Sequence, residues 1–302
     1  MNLSSYKPQQ NKYIVYQNES SDTVGKLNGI VTSFLLALIN NYHFRISDDD
    51  KELFELFDSE IEWRNEDWIS NDLYFGRLNL KDILETEKHW LENVILTYEL
   101  SNSDVIKLLI NQNGLKYIFN NENYVTRLNE LGLYYNTAFS ELLTHLFKFN
   151  KKFKNNFDFL INKLFDNNSQ PLSIHIDTTN IDEETIGLFI DAIKKNSSPT
   201  DVNFIMCDDE VIIERIKTEV PALKVVTLPK IMDNEYVKKY YELFLQSNCV
   251  RHIISYWSDT SKIITAISTD DVIVVENKNY PQLKTKVEGY RKAKLSEILD
   301  II

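Results

Sequence analysis

The chain has 302 residues, of which 43% are hydrophobic and 26% are charged, and its formal net charge is −12 at pH 7. This composition is typical of a globular protein with a large core, and the length suits two domains or a single large one. The acidic balance excludes a general nucleic-acid binder, because such proteins neutralise phosphates with a basic face.

The sequence also bears on disulfides, zinc sites and membrane segments. Cys207 and Cys249 lie in apolar runs and are expected to be buried, reduced thiols. The five histidines show no HxxxH pattern, and no CxxC occurs, so we expect no structural zinc. The N-terminus lacks a signal-peptide core, and the longest apolar stretch, residues 30–39, is too short to cross a bilayer. We expect a cytoplasmic protein without a transmembrane segment, with peripheral attachment to a membrane left open.

The N-terminal part opens with an alternation of strand and helix. Residues 12–17 (KYIVYQ) and 43–47 (HFRIS) predict strands, and residues 18–29 (NESSDTVGKLNG) predict a polar loop. A helix should follow that loop, because one stripe is apolar: Leu27, Ile30, Val31, Phe34, Leu35 and Leu38. The pattern then becomes mostly helical, with amphipathic faces within residues 139–147 and 153–165.

The C-terminal part predicts a parallel sheet. Five short runs rich in Val and Ile suit strands that are buried on both faces: LSIHID, VNFIMCD, LKVVTLP, VRHIISY and DVIVVEN. Helical spacing separates them, for example at Ile186, Phe189, Ile190 and Ile193. The part from about Pro171 onward therefore predicts a doubly wound α/β domain, whose ligand crevice lies at the carboxyl ends of the strands.

The polar, proline-ended stretch FDNNSQP places the predicted domain boundary between residues 168 and 169. The predicted fold class is α/β, with two Rossmann-like lobes in residues 1–168 and 169–302 and a large helical portion in the first. Two such lobes suit a nucleotide-sugar glycosyltransferase of GT-B type, although the pattern alone allows other two-lobed enzymes. A dinucleotide dehydrogenase is disfavoured, since no GxGxxG follows a strand.

Several stretches carry a resemblance to a known family. They are VGKLNGIVTSFLLALINNYHFRI, ELFDSEIEW, IHIDTTN, VNFIMCDDEVIIERIKTEVP and YYELFLQSNCVRHIISYWSDTSKIITAIS. In order, they resemble segments of the GT-B fucosyltransferases that use GDP-fucose, including the α1,6-fucosyltransferases of N-glycan cores and rhizobial nodulation factors. The resemblance implies an inverting transfer of sugar from a GDP-sugar donor to a glycan hydroxyl, without a metal or other cofactor, as in polysaccharide biosynthesis.

The resemblance assigns donor-binding positions in the C-terminal lobe. Asp208 and Asp209 stand where the family contacts the donor nucleotide, and either could simply cap the next helix. Ser258 stands where the family holds the diphosphate, with Thr260 beside it at the same helix N-terminus, which attracts phosphate. Residues 258–261 are also ordinary N-cap types. Trp257 could line the nucleotide pocket or lie in the core.

The glycine-containing stretch SDTVGKLNG resembles the family's opening loop, with one residue fewer. Glycine allows a tight turn and close approach to a ligand. Gly25, Lys26 and Asn28 are therefore candidate donor-binding residues. An ordinary strand-to-helix loop is the alternative interpretation.

The His-x-Arg motif of the family is altered in this chain. His175 remains, but Asp177 occupies the position of the arginine that would bind the diphosphate bidentately. Three explanations stay open. Another cation substitutes, such as Lys26, Arg251 or Lys262; a different donor is used; or the protein is a catalytically inactive binding or scaffold protein.

Inverting transfer requires a carboxylate base near the acceptor hydroxyl. In the α1,6 enzymes this base is a glutamate shortly after the His-x-Arg motif, and NIDEETIG is the matching stretch here. Glu184 is the first candidate, followed by Glu183 and then Asp177. Both glutamates could instead serve a helix N-terminus, where acids are favoured. The expected partners are a nucleotide-sugar donor and a glycan acceptor, and no nucleic acid.

Overall fold

The structure, a computed structural model, describes residues 1–17, 23–47, 51–59, 61–63, 77–79, 105–110, 113–165, 171–199, 202–226, 235–268, 271–277 and 290–293. The chain forms two compact units, Met1–Phe153 and Lys154–Ile302, each described here by itself. The units divide inside a helix, whereas the sequence predicts a boundary after residue 168, which lies outside the described residues.

Unit 1 is a small α/β unit with a helical portion. Its strands are β1 (Tyr13–Tyr16), β2 (His43–Ile46), β3 (Phe57–Asp58), β4 (Arg77–Asn79), β5 (Val105–Leu109) and β6 (Lys148–Phe149). Its helices are α1 (Thr23–Asn40), α2 (Lys51–Leu56), α3 (Leu115–Phe119), α4 (Val125–Glu130) and α5 (Tyr135–Leu146). The parallel sheet has the order β2-β1-β5-β4, and β3 pairs with β6 in an antiparallel ribbon.

Helix α1 is the core helix of unit 1. Every residue from Val24 to Ile39 is buried, so the apolar stripe seen in the sequence covers only part of the buried surface. The helix is long and apolar enough to pass for a membrane span by length and composition, but 89% of it is buried inside the protein. Its burial explains its apolar character, and it gives no evidence of a membrane span.

Unit 2 contains the elements predicted for the C-terminal lobe. Its strands are β7 (Leu172–Ile176), β8 (Val202–Cys207), β9 (Lys224–Val226), β10 (Arg251–Ser255), β11 (Asp271–Val275) and β12 (Tyr290–Ala293). Helix α6 (Lys151–Leu164) leads into the unit, and the later helices are α7 (Glu183–Asn196), α8 (Glu210–Glu219), α9 (Glu235–Ser247) and α10 (Asp259–Ser268). All five predicted strands are confirmed, and β12 was not predicted.

The sheet of unit 2 has the order β12-β11-β10-β7-β8-β9. All neighbours from β11 to β9 are parallel, and only β12 pairs antiparallel, with β11. The chain therefore proceeds from β7 toward β8 and β9 on one side, and then returns to place β10 on the other side of β7. This arrangement is a doubly wound sheet, as the sequence predicts.

The core of unit 2 follows from helical spacing over the sheet. The buried face of α7, with Phe189 and Ile190, packs against strand residues such as Ile174 and Ile253. Helix α6 and the residue after it also pack on unit 2, because Phe157 contacts Tyr241 and Phe165 contacts Phe204. These contacts are the physical reason that the compact units divide inside α6 rather than after it.

Candidate functional site

The carboxyl ends of β7 and β10 form the reversal point of the unit 2 sheet. The two strands are neighbours, with Ile254 opposite His175, but the chain leaves them toward opposite sides, β8 after β7 and β11 after β10. In open α/β sheets, ligands bind in the crevice at such a reversal point. The His-Ile-Asp stretch of β7 and the Trp-Ser stretch after β10 both lie at this edge.

Ser255 joins the ends of the two strands. Its hydroxyl Oγ accepts a hydrogen bond from the backbone N–H of Asp177 (2.8 Å) and donates to the carbonyl of His175 (3.3 Å). The residue is fully buried, so these bonds are protected from water. Ser255 was not predicted as a site residue; the signal available in the sequence was a small polar residue directly after two isoleucines.

His175 is buried and contacts the helix that follows β10. Its Nδ1 lies 2.5 Å from Ser261 Oγ, in the first turn of α10. Burial lowers the pKa of His175 to about 4, and the carboxylates of Asp177 and Asp208 only partly oppose that effect. The imidazole is therefore neutral at pH 7 and can act as a hydrogen-bonding group but not as a cation for phosphate.

The N-terminus of α10 lies at the carboxyl ends of these strands. Ser258 precedes the helix and is buried, and its Oγ accepts a long hydrogen bond from the N–H of Ser261 (3.5 Å). Thr260 is half-buried in the first turn. Asp259 is exposed and pairs with Lys262, with 2.7 Å between Oδ1 and Nζ. The helix end thus carries hydroxyls, one ion pair and the positive end of the helix dipole.

Trp257 lies in the core of unit 2. It is buried and meets the ring of Phe189 edge-on, with 6.4 Å between centroids. The core interpretation is therefore confirmed for the ring. Its Nε1–H, however, has no hydrogen-bond partner within the described residues.

Asp208 and Asp209 follow β8 and differ in their contacts. Asp209 caps α8, since its Oδ1 accepts from Val211 N–H at 2.8 Å. Asp208 is exposed at the tip of the strand. The capping interpretation therefore holds for one residue, and donor contact stays a prediction for both.

Cys207, beside Asp208, is only partly buried, whereas Cys249 is buried. Burial raises the pKa of the Cys207 thiol to about 11, so this thiol is protonated at pH 7.

The candidate bases lie at the start of α7 and after β7. Asp182 caps α7 by accepting from Thr185 N–H at 2.8 Å, and Glu183 pairs with Arg215 of α8. Glu184 is exposed in the first turn. Asp177 is half-buried, and its Oδ1 accepts from the N–H of Thr179 at 2.9 Å in a local turn. Their catalytic roles stay predictions.

The structure corrects the local conformation predicted for the glycine stretch. Gly25, Lys26 and Asn28 lie within the first turns of α1 and are buried, so the loop prediction is wrong from residue 23 onward; residues 18–22 lie outside the described residues. The structure explains why position 29 is a glycine. A Cβ there would lie 1.8 Å from the carbonyl oxygen of Ile110, so close backbone packing requires glycine and a turn does not.

The same part of unit 1 contains a buried acceptor without a partner. Asn28 Oδ1 has no hydrogen-bond partner in the part of the chain that the structure describes. A donor-binding role for Gly25, Lys26 and Asn28 stays a prediction.

Arg251 does not lie at the crevice. It is the first residue of β10, at the opposite edge of the sheet, and its Nη1 donates to the carbonyl of Asn196 at 2.7 Å. It is therefore not a substitute for the missing arginine. No group of three or more His, Cys, Asp or Glu residues with metal-binding geometry occurs within the described ranges.

The chain matches no family model and no curated protein. It is similar in structure to a mutant of FUT1 from Arabidopsis thaliana in complex with GDP, with a TM-score of 0.71 and 13% identity over 89% of this chain and 71% of that one. It is also similar to the fucosyltransferase NodZ from Bradyrhizobium, with a TM-score of 0.64 and 13% identity over 94% of this chain and 99% of that one. At such identity the likeness shows the fold, which is the two-lobed α/β fold of GT-B fucosyltransferases.

Proposed function

We propose that the protein is a nucleotide-sugar glycosyltransferase of fucosyltransferase type, which moves a sugar from GDP-fucose or a related donor to a glycan hydroxyl. The observation that carries this proposal is the polar crevice at the β7–β10 reversal point, in a fold whose solved representatives include complexes with GDP. His175, Ser258 and the N-terminus of α10 meet at this crevice, where a diphosphate finds hydrogen-bond donors and the positive end of a helix dipole.

The proposed reaction inverts the anomeric carbon. A carboxylate takes the proton of the acceptor hydroxyl as that oxygen attacks, and the nucleoside diphosphate leaves with the bonding electrons. Glu184 is our first candidate for the base, because it lies exposed in the first turn of α7, in the stretch that resembles the family's glutamate segment. We expect Ser258 and Thr260 to donate hydrogen bonds to the leaving diphosphate.

Calorimetric titration tests the donor site. GDP, UDP and CDP should be titrated into the protein, and at least one, GDP first, should bind. Absence of binding by all three at millimolar concentration would reject the proposal. Transfer assays with labelled GDP-fucose then separate an enzyme from the alternative, a GT-B-like binding protein, which Asp177 in place of arginine favours. A binding protein would take up GDP-fucose and neither transfer nor hydrolyse it.

Metal independence belongs to the same proposal. The charges around the leaving group would come from the protein, so transfer should persist in EDTA. Loss of transfer in EDTA that Mn²⁺ or Mg²⁺ restores would indicate another catalytic class.

A cytoplasmic location and a part in polysaccharide biosynthesis also belong to the proposal, and both rest on the sequence alone. Fractionation of the cells that make the protein tests the location.

A further inference from the structure

The crevice of unit 2 presents a charge problem for a diphosphate. Acidic side chains follow four of its strands: Asp177 after β7, Asp208 after β8, Asp259 after β10 and the buried Glu276 after β11. Negative groups a few ångströms apart repel each other, and the repulsion is stronger where water is excluded. A nucleoside diphosphate can bind here only if a cation at the same edge compensates that repulsion.

The three cations that the sequence suggests as substitutes for the arginine lie in different parts of the structure. Arg251 lies at the start of β10, about 13 Å from its carboxyl end at the usual rise per residue. Lys26 belongs to unit 1. Lys262 lies in unit 2, directly after Ser261, whose hydroxyl contacts His175 at the crevice.

Lys262 is placed where stability alone does not favour a lysine. It is 9% exposed, in the N-terminal part of α10, where the helix dipole repels a cation. In α7 the charges follow the dipole, with Glu183 and Glu184 in the first turn and lysines in the last. Burial of an ammonium also costs free energy that an exposed partner such as Asp259 only partly offsets.

A second observation at the start of α10 points to an absent acceptor. The indole N–H of Trp257, one residue before Ser258, is buried without a hydrogen-bond partner in the described part of the chain. An unpaired buried donor is costly, and the great majority of such groups in proteins have partners. An oxygen of a bound ligand could relieve that cost.

We infer that Lys262 supplies the positive charge for the donor diphosphate, in the role that the family's arginine leaves vacant at Asp177; this inference rests on the proposed function. In the unliganded protein, the carboxylate of Asp259 pairs with the ammonium of Lys262 at the N-terminus of α10. When the diphosphate binds, its oxygens replace that carboxylate, which is 68% exposed and can turn to solvent. Lys262 is thus a binding residue, and Asp259 is its competitor.

Titration of GDP and guanosine into substituted proteins tests this inference. Lys262→Met should weaken GDP binding by about tenfold or more and leave guanosine unchanged, because only GDP carries phosphates. Asp259→Asn should tighten GDP binding, since it removes the competitor. Lys217→Met is the matched control: Lys217 also pairs with a carboxylate three residues earlier, Glu214 at 2.7 Å, but it lies in the last turn of α8 and is more exposed. It should change GDP affinity much less than Lys262→Met.

Thermal unfolding separates a ligand-binding lysine from a structural one. The unliganded Lys262→Met protein should melt at the same temperature as the parent or higher, because it loses a cation that the helix dipole disfavours. A lower melting temperature with unchanged GDP affinity would show a structural ion pair and overturn the inference. If Lys262→Met fails to fold, Lys262→Arg and Lys262→Gln replace it, and the arginine variant alone should keep GDP affinity.

Failure of the inference differs from failure of the proposed function. If the parent binds GDP and Lys262→Met binds it equally well, the donor site stands and Lys262 has no part in it. If the parent binds none of GDP, UDP and CDP, the donor site itself is rejected, and the role of Lys262 with it.

Discussion

Asp177 keeps a local structural role while it changes the charge of the crevice. Its Oδ1 accepts from Thr179 N–H, and its own N–H donates to Ser255. Asp177→Arg should tighten GDP binding by about tenfold or better, because it exchanges a repulsive charge for an attractive one. Titration of GDP measures this change. Asp177→Asn is the control, since its side-chain oxygen can still accept from Thr179.

An Asp177→Arg protein that folds normally and binds GDP no better than the parent would reject the family's binding pose. If Asp177 is the catalytic base, the same variant would lose transfer while its GDP affinity stays or improves. Transfer and binding must therefore be measured on the same preparation.

The two adjacent glutamates of α7 offer a second comparison at the residue scale. Glu184→Gln should lower the rate of transfer by about 10²-fold or more and leave GDP affinity unchanged, as expected for loss of a general base. Glu183→Gln should retain transfer, because Glu183 pairs with Arg215 on the surface. Rates with saturating GDP-fucose and acceptor measure both. A Glu184→Gln protein of normal rate would move the base elsewhere.

Residue roles that depend on neighbours in sequence were predictable, and those that depend on distant residues were not. A cap at Asp208 or Asp209 was expected from composition alone, and the structure assigns it to Asp209. The contact between His175 and Ser261 joins residues 86 positions apart. No periodicity reports such a contact, because it arises only when β7 and β10 become neighbours.

At the scale of elements, α1 shows how a glycine can mislead. The sequence predicts a loop around Gly25 and Gly29, because glycine most often marks turns. In the structure the helix includes both, and Gly29 is needed because β1 and the chain after β5 pass close by, at Tyr16 and Ile110. That requirement comes from residue 110, and nothing near residue 29 in the sequence reveals it.

Gly29→Ala and Gly187→Ala should therefore have opposite effects. The added Cβ of Gly29→Ala would lie 1.8 Å from the oxygen of Ile110, so we expect destabilisation by about 3 kcal/mol or more. Gly187 lies within α7 with nothing within 4 Å of an added Cβ, so alanine should stabilise the protein by about 0.5–1 kcal/mol. Urea unfolding measures both; equal effects would contradict the packing around α1.

The strands show the same division between local and distant causes. Four of the predicted strands of unit 2 (β7, β8, β10 and β11) are mostly buried, as their apolar runs indicate, whereas β9 is an edge strand that is only partly buried. β5 (Val105–Leu109) and β12 (Tyr290–Ala293) were missed, because each includes lysine or arginine within a short run. Edge position explains β12, which pairs on one side only, with β11.

At the scale of the whole molecule, the fold class was predictable although the chain matches no family model and no curated protein. The pattern of buried strands and amphipathic helices depends on burial and not on residue identity, so it persists at the 13% identity shared with FUT1 and NodZ. The chemistry depends on single residues, and the resemblance puts Asp177 where the fucosyltransferases have an arginine. Fold and function therefore need separate tests.

Two buried histidines should make unit 2 sensitive to acid. Burial lowers the pKa of His175 and of His252 to about 4, well below the ordinary value near 6.5 that the unfolded chain has. Between pH 6.5 and 4 the unfolded state therefore binds more protons than the folded state. The free energy of unfolding should fall as the pH is lowered through this window, by up to about 1.4 kcal/mol per pH unit for each imidazole.

Substitution of His252 isolates this effect from the carboxylates that titrate in the same range. His252→Gln removes one titrating imidazole, so the difference in melting temperature between pH 7 and pH 5 should be smaller than in the parent. Melting curves that shift equally with pH in the parent and in His252→Gln would show that His252 is not a neutral, buried group, since a group that folding does not affect cannot couple stability to pH.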